Sequence, residues 1–260
     1  MYYLATLDHA RLFSAAYGDP SNPPILLLHG LGADHEMWRP QIERYPQESL
    51  FVIAPDLRGH GRSEKPTVFT IAACARDLRD LLDQLEIERT AVVGVSMGGL
   101  VAQQFALDYP ERLSRLVIAD SFSCVRRPLE RFNAWLGAFL LHFFPLRLQA
   151  YLIRLTYRRL GATRVGEYLS DSLLAVDPQW TARLREQVNR FDVCDRLGEI
   201  KVPTLVLVGT AFGNLAIEMA RTTAAGIPGA VFETLPGGGD PSNLLVPQAF
   251  DQAVLRFLRS

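Results

Sequence analysis

Short apolar runs alternate along the chain with longer segments in which apolar residues recur every three or four positions. The runs are too short for helices, and most of them are rich in β-branched residues, as is typical of strands buried on both faces of a parallel sheet. They comprise Ile25–Leu28, Phe51–Ala54, Ala91–Val93, Leu116–Ile118 and Thr204–Val208. The pattern therefore predicts a buried, mostly parallel sheet.

Helical periodicity fills much of the sequence between these runs. Apolar residues lie three and four positions apart in Ile71–Leu85, and helical patterns also occupy Leu100–Leu107 and Pro247–Leu258. This alternation predicts a doubly wound α/β fold. The opening segments, Tyr3–Leu7 and Arg11–Tyr17, alternate more strictly and predict an antiparallel hairpin at one edge of the sheet.

Between residues 122 and 198 the alternation stops, and the sequence pattern is helical throughout. We interpret this stretch as a helical cap inserted into an α/β core, whose two parts are residues 1–121 and 199–260. Aromatic residues of the stretch, among them Trp135 and Phe139, are candidates for the lining of a substrate pocket. Packing of the cap onto the core explains these aromatics equally well.

Charge and hydropathy limit the classes of partner. The 260 residues carry a formal net charge of −1 and are 48% apolar, so one large core can form. We interpret the basic residues as dispersed and predict no nucleic-acid partner, because such binding needs many phosphate contacts. The longest apolar stretch, Trp135–Leu148, is interrupted by polar residues and proline and is too short to span a bilayer.

The three cysteines, Cys74, Cys124 and Cys194, are widely spaced and odd in number. We therefore expect buried thiols in a reducing compartment, with neither a disulfide nor a metal site. The N-terminus, Met1–Asp8, has no basic region before an apolar run, so no signal peptide is expected. These features predict a cytoplasmic protein, for which we expect no cofactor.

The strongest local motif is Gly-Val-Ser-Met-Gly-Gly at Gly94–Gly99, directly after a predicted strand and directly before a helix. A serine on such a sharp turn needs small neighbours, which explains the glycines two residues before and after Ser96. The helix N-terminus favours negative charge that develops beside the serine. A phosphate loop would need a lysine after the glycines, and none follows. We predict that Ser96 is a nucleophile.

This motif and three further stretches resemble the α/β-hydrolase superfamily over nearly the whole chain. His29–Gly32 resembles the family's oxyanion loop, and Asp56–Ser63 resembles the loop after the next strand. Tyr109–Asp120 resembles the helix end and strand that follow the nucleophile. Within the superfamily, the chain is most similar to small-cap esterases and 3-oxoadipate enol-lactonase-like hydrolases. The resemblance implies a small hydrophobic ester- or lactone-like molecule as the ligand.

The resemblance also assigns residues to the pocket. The backbone N–H groups of Leu31 and Met97 would be the two donors to the oxyanion of a tetrahedral intermediate. His29 and Gly30 would shape the pocket. We expect a structural, hydrogen-bonding role for His29, as for His60, rather than proton transfer.

Two positions depart from the family pattern. Members carry the catalytic acid in a turn after the strand that matches Thr204–Val208, where this chain has Phe212. They carry the catalytic histidine in a loop near the C-terminus, where this chain has Asp240. Asp120 is a candidate alternative acid, because some members carry theirs at the end of the strand after the nucleophile. An acid without a histidine still leaves the triad incomplete.

Three functions are compatible with these departures. The first is a protein of ester or lactone hydrolase lineage with weak or no triad hydrolysis, because a serine hydroxyl is a poor nucleophile without an adjacent base. The second is an active enzyme that uses Asp240 as a general base, or that hydrolyses through another residue. The third is a small-molecule binding protein without chemistry. Two losses in an otherwise faithful chain also suggest a repurposed or engineered site.

Asp240 carries the sharpest of these hypotheses. In an apolar pocket roofed by the cap and flanked by Phe212, desolvation would raise the pKa of Asp240 and make it a stronger base. Any activity would then depend on Asp240 more than on Ser96. The alternative is that Asp240 lies in solvent and caps its glycine-rich loop.

Overall fold

One eight-stranded sheet forms the centre of the molecule, of which the computed structural model describes residues 2–7, 10–67 and 69–260. The strands are β1 Tyr2–Leu7, β2 Ala10–Tyr17, β3 Pro24–Leu28, β4 Phe51–Pro55, β5 Thr90–Val95, β6 Leu113–Ala119, β7 Thr204–Gly209 and β8 Val231–Leu235. Their order in the sheet is β1-β2-β4-β3-β5-β6-β7-β8. Strand β2 is antiparallel to both of its neighbours, and every other pair is parallel. The predicted fold class and edge hairpin are confirmed.

Helices follow or connect the strands. They are α1 Arg39–Arg44, α2 Ile71–Gln84, α3 Met97–Asp108, α4 Pro128–Phe143, α5 Leu146–Arg159, α6 Thr163–Ala175, α7 Pro178–Arg190, α8 Asn214–Gly226, α9 Ser242–Leu245 and α10 Pro247–Arg259. The Thr70 hydroxyl oxygen accepts a hydrogen bond from the Ala73 N–H, so a threonine cap fixes the start of α2.

Apolar side chains cover both faces of the sheet because successive residues of a strand point to opposite sides. In β3, Leu26 and Leu28 join the apolar cluster that packs against α2, α3 and α8. Ile25 and Leu27 join the second cluster, against α1 and α10. Each such buried leucine or isoleucine contributes roughly 1.5–3 kcal/mol, so the central strands form a rigid base for the loops at their carboxyl ends.

The interval between β6 and β7 contains the four helices α4 to α7 and no strand. We call residues 122–198 the cap segment, and its boundaries as a domain stay a prediction. Helix α5 packs closely on α6, since a side chain at Gly166 would come within 2.7 Å of the Tyr157 Cβ atom. None of the helices in the described part of the chain is long and apolar enough to cross a membrane.

A disulfide between Cys124 and Cys194 shows that the prediction of three free thiols was wrong. The two residues are 70 positions apart in sequence, and their Cα atoms are 5.8 Å apart. They meet because the two ends of the cap segment lie side by side, where the Val193 N–H donates to the Ser123 carbonyl at 2.9 Å. The cysteine pattern therefore gives no support to a reducing compartment.

Candidate active site

Ser96 lies on the sharp turn between β5 and α3, with φ 56° and ψ −121°. This left-handed φ is strained for a residue with a side chain. The Ser96 N–H donates to the Ala119 carbonyl at 2.9 Å, and the Ser121 hydroxyl donates to the Ser96 carbonyl at 2.8 Å. The neighbouring strand thus holds both ends of the residue in the geometry of a nucleophile elbow.

Close approach of the backbone requires the glycines around Ser96. A Cβ atom at Gly98 would lie 2.1 Å from the Leu28 carbonyl oxygen, and one at Gly94 would lie 2.2 Å from the Gly98 carbonyl oxygen. These distances are too short for any side chain. The first turn of α3 therefore packs directly on the strands, and this packing fixes the position of Ser96.

Two backbone N–H groups adjoin Ser96 where oxyanion donors are expected. Leu31 and Met97 line the same cavity as the Ser96 hydroxyl. Among the described residues, no acceptor takes a hydrogen bond from the N–H of either residue. The Leu31 loop is close, since a Cβ atom at Gly30 would lie 3.3 Å from the Ser96 Cβ atom. These two donors remain available to a ligand.

Asp240 is hydrogen-bonded to Ser96. The Ser96 hydroxyl donates to Asp240 Oδ2 at 2.8 Å, so the residue at the expected histidine position faces the expected nucleophile. The Tyr157 hydroxyl of α5 donates to the Asp240 carbonyl oxygen at 2.6 Å and fixes the loop. Asp240 therefore points into the cavity under the cap segment and not into solvent.

Burial raises the pKa of Asp240 to about 7, and the nearby negative charge of Asp120 raises it further. The hydrogen bond from Ser96 and the positive charge of Arg185 oppose this shift. A carboxyl group with a pKa near neutrality is a much stronger base than one in water, where the value is about 3.9. Asp240 is therefore able to exchange a proton near pH 7.

Asp120 supports the Asp240 loop from the end of β6. It accepts hydrogen bonds from the Gly209 N–H at 2.8 Å, from the Ser242 N–H at 2.7 Å and from the Ser242 hydroxyl at 2.9 Å. Burial raises the pKa of Asp120 to about 6, although these three donors favour the ionised form. Its oxygens already have partners at the end of β7 and in the loop, so its contacts are those of a positioning group.

Phe212 ends the short 3₁₀ turn Thr210–Phe212 that follows β7. Its side chain is 44% exposed and lines one side of the cavity that contains Ser96 and Asp240. The Ala211 N–H donates to the Gly238 carbonyl at 2.7 Å, which joins this turn to the Asp240 loop. The two departures from the family pattern are therefore adjacent in space.

Arg185 of α7 is a site residue that sequence reasoning missed. It lines the cavity on both sides of Ser96, and burial lowers the pKa of its guanidinium while the Asp240 charge raises it. Its Nε atom is buried and has no hydrogen-bond partner in the part of the chain that the structure describes. Helical spacing does not distinguish this arginine from the exposed ones on the cap segment, so only the fold reveals it.

The histidines of the loops make structural contacts. His29 is buried, its Nδ1 atom lies 2.8 Å from the Gly30 carbonyl, and its Nε2 atom accepts from the Leu57 N–H at 2.9 Å. His29 thus lies beneath the oxyanion loop and does not line the cavity. Burial lowers the pKa of His60 to about 3, so its ring stays neutral. His9 and the side chain of His142 lie outside the described residues.

A cavity of about 280 Å³ lies between Ser96 and the cap segment, and a second lobe of about 130 Å³ lies beside Phe212. Together these volumes suit a small molecule. The side chains that the cap segment contributes to the larger lobe are those of Gln149, Ile153, Tyr157, Leu169, Leu173, Thr181 and Arg185.

Trp135 and Phe139 do not line this cavity, contrary to the prediction. Their side chains are 57% and 36% exposed, and their rings stack on each other on α4 with centroids 5.3 Å apart. Sequence spacing placed both residues on one helix face but could not show which way that face points. The walls come instead from α5, α6 and α7.

Comparisons with known proteins agree with this geometry. The chain is 29% identical to 3-oxoadipate enol-lactonase 2 of Acinetobacter baylyi over 266 residues, which cover 96% of this chain and 93% of that one. It is 32% identical to an uncharacterized protein of Mycobacterium tuberculosis over 275 residues, with 92% and 80% covered. The crystal structure of the enol-lactonase from Burkholderia xenovorans LB400 superposes with a TM-score of 0.86, at 28% identity, over 99% of this chain and 100% of that one.

These similarities confirm the resemblance to esterases and enol-lactonases. Residues 23–238 match the family described by the alpha/beta hydrolase fold, and this match covers most of the chain. The chain belongs to the alpha/beta hydrolase fold family.

Proposed function

We propose that this protein is a slow hydrolase of small esters or lactones in which Asp240 replaces histidine as the base for Ser96. The observation that carries the proposal is the hydrogen bond of 2.8 Å from the Ser96 hydroxyl to Asp240 Oδ2. The carboxyl pKa of about 7 supports it, because a general base works best when its pKa is near the operating pH. The ester and lactone class comes from the relatives' names and from the small cavity.

In this reaction, the Ser96 oxygen forms a bond to the substrate carbonyl carbon while its proton moves to Asp240. The negative charge moves to the carbonyl oxygen, where the N–H groups of Leu31 and Met97 stabilise it. Protonated Asp240 then returns the proton to the leaving oxygen as the old ester bond breaks. Water then attacks the carbonyl carbon of the acyl-serine while its proton moves to Asp240. When the bond from this carbon to the Ser96 oxygen breaks, protonated Asp240 returns the proton to Ser96 and the carboxylic acid is released.

The rate is low for an electrostatic reason. In a complete triad, neutral histidine becomes a cation beside the oxyanion, and a buried aspartate stabilises that cation. Asp240 becomes neutral when it accepts the proton, so no new positive charge faces the oxyanion. Arg185 is the cation that lines this cavity among the described residues. We therefore expect a turnover number below about 1 s⁻¹, the lower end of typical enzymes.

The test is the hydrolysis of p-nitrophenyl acetate and a γ-lactone by the wild type, Ser96→Ala and Asp240→Asn. Both variants should lose the activity, and the wild-type rate should rise with pH around a midpoint near 7, because only the ionised carboxylate accepts a proton. Asp108→Asn, at an exposed position on the far end of α3, is the matched control and should behave like the wild type.

Four results would count against this function. Full activity of Asp240→Asn would show that Asp240 is not the base. A rate that does not depend on pH would show that no carboxylate titrates during the reaction. Activity that survives Ser96→Ala but not Asp240→Asn would mean that Asp240 acts directly on water or on an acidic carbon. Binding of a lactone without turnover, measured as thermal stabilisation, would indicate a binding protein.

A further inference from the structure

The outer face of the cap segment is rich in exposed apolar side chains. Fourteen large apolar side chains are exposed among the described residues, and twelve of them belong to the cap segment. On α4, the rings of Phe132, Trp135, Phe139 and Phe143 form a continuous ladder, with neighbouring centroids 4.5 to 6.0 Å apart. Clusters of exposed apolar side chains mark candidate interaction surfaces.

The same part of the chain has a large excess of positive charge. Eight arginines and a single carboxylate, that of Glu130, lie between residues 126 and 164, so this stretch has a formal charge of +7. The whole chain has a net charge of −1, which leaves −8 for the remainder. The interpretation of the basic residues as dispersed was therefore wrong for this stretch.

Most of these arginines form no ion pair with a carboxylate among the residues that the structure describes. Arg126, Arg127 and Arg154 form ion pairs. No ion pair joins the other five to a carboxylate within the described ranges, and all five are exposed: Arg131, Arg147, Arg158, Arg159 and Arg164. Their charge is available to an anionic partner.

Helix α5 interleaves the two kinds of side chain. Arg147, Tyr151, Arg154 and Arg158 recur at spacings of four, three and four, so they form one row along the helix. An exposed leucine pair, Leu148 and Leu152, lies in the adjacent row. Arginine stems next to apolar side chains cover apolar surface while the guanidinium groups reach outward.

We propose that the exposed sides of α4 and α5 dock on the surface of a bilayer that contains anionic lipids. The aromatic and leucine side chains would enter the boundary between headgroups and acyl chains, and the arginines would pair with lipid phosphates. The proposal is independent of the chemistry at Ser96. A second copy of the chain is a poorer occupant, because a two-fold contact would place two positively charged faces against each other.

The docking face and the cavity share α5. On the inner side of this helix, Ile153 and Tyr157 line the cavity, and the Tyr157 hydroxyl donates to the Asp240 carbonyl. A docked protein would therefore hold the back of this cavity wall against the lipid. Apolar small molecules dissolved in the bilayer would be close to the cavity.

The test is flotation of the full chain with vesicles of phosphatidylcholine alone or of phosphatidylcholine and phosphatidylglycerol in equal amounts. We expect binding to the anionic vesicles, at least about 10-fold weaker binding to the neutral ones, and loss of binding at high salt. Trp38 and Trp180 are buried and Trp135 is 57% exposed, so a blue shift of tryptophan emission on binding reports insertion of Trp135.

Two variants separate the contributions of charge and apolar contact. The triple variant Arg147→Gln, Arg158→Gln, Arg159→Gln should bind anionic vesicles about 100-fold more weakly. The double variant Trp135→Ala, Phe143→Ala should bind at least about 10-fold more weakly. Val231→Ser and Arg256→Gln, which change exposed residues outside the cap segment, are the matched controls and should bind like the wild type.

Equal binding to neutral and anionic vesicles, or wild-type binding by the triple arginine variant, would overturn the proposal. So would a concentration-dependent dimer that Trp135→Ala, Phe143→Ala abolishes, if vesicles are not bound. Since the aromatic variant changes helix α4, its circular dichroism and melting temperature must match the wild type. The arginine variant changes only exposed side chains and keeps the test decisive if the aromatic variant is unstable.

Discussion

The two sides of the candidate active site differ in how strictly the fold determines them. On the nucleophile side, Ser96 stands between Gly94 and Gly98, where an added Cβ atom would lie only 2.2 and 2.1 Å from a backbone oxygen. On the opposite side, Phe212 and Asp240 belong to turns after β7 and β8, and their side chains face a cavity. The backbone of the second side is also tightly packed, since a Cβ atom at Gly209 would lie 2.1 Å from the Gly238 carbonyl carbon. What differs is that the side chains of Phe212 and Asp240 line a cavity.

Because of this difference, the elbow gives information about the fold, and the residues at positions 212 and 240 give information about function. The elbow is part of the core packing, so its presence follows from the fold and does not by itself establish chemistry. The side chains of Phe212 and Asp240 line the cavity, so their identities carry more information about function. An aspartate that accepts a hydrogen bond from Ser96 is informative because no packing contact requires it.

The largest effect is expected when the missing acid and histidine of a catalytic triad are introduced at positions 212 and 240. The double variant Phe212→Asp, Asp240→His should raise kcat/KM on p-nitrophenyl acetate by at least about 100-fold, because it restores both a base and the acid that orients it. Asp240→His alone should gain less, since Asp120 is already hydrogen-bonded to Gly209 and Ser242. Adding Ser96→Ala to the double variant should abolish the gain. No gain at all would mean that the loop side cannot hold a triad.

On the elbow side, a single methyl group should be destructive. Gly98→Ala would place a Cβ atom 2.1 Å from the Leu28 carbonyl oxygen, so we expect a loss of at least about 3 kcal/mol in the free energy of unfolding. Gly137→Ala is the matched control, because no described atom outside the adjoining backbone of its own helix lies within 4 Å of the new Cβ. It should be neutral or stabilising by up to about 1 kcal/mol in urea denaturation. Equal effects of the two changes would contradict the packing argument.

Asp240→Asn should stabilise the protein at high pH. The folded-state pKa of Asp240 is about 7, above the ordinary value of 3.8 in the unfolded chain. Between these values the folded state retains a proton that the unfolded state releases, so stability falls as the pH rises through this window. Above pH 7 the penalty of the buried charge is fully present, up to roughly 4 kcal/mol. Urea denaturation at about pH 8 and pH 5 should show a gain for Asp240→Asn that shrinks at the lower pH, and no comparable gain for Asp108→Asn.

The smallest expected effect tests whether the charge of Arg185 acts on Asp240. Its positive charge lowers the pKa of Asp240, so Arg185→Gln should move the midpoint of the pH–rate profile upward by about half a unit to one unit. Arg183→Gln, at an exposed position on the same helix, should leave the midpoint unchanged. A downward shift for Arg185→Gln would show that this arginine does not act on Asp240 through its charge.

The local sequence pattern was sufficient to predict the parts of the structure that interactions between neighbouring residues determine. The strands around Ser96, the helix α3 and the elbow follow from apolar runs and glycine spacing. Strand β8 was not predicted, because its residues are largely half-buried or exposed and give no apolar run. An edge strand is not buried on both faces, so it lacks the continuous apolar run by which the central strands were predicted.

Contacts between distant segments were out of reach of the sequence. Arg185 approaches Asp240 only because α7 folds back over the cavity, and Cys124 meets Cys194 only because the ends of the cap segment return to the same place. The outward direction of Trp135 depends on which side of α4 faces the core. Each of these features depends on tertiary packing, which the periodicity of the sequence does not predict.

The bond between Cys124 and Cys194 turns the intervening chain into a closed covalent ring attached to the core at one point. A single backbone cut anywhere in this ring, for instance in the turn between α4 and α5, would not divide the molecule into two pieces. The nicked protein would migrate as one chain in a gel without a thiol reductant and as two fragments with one. The helices that cover Ser96 are thereby tethered to the core even after their own backbone is broken.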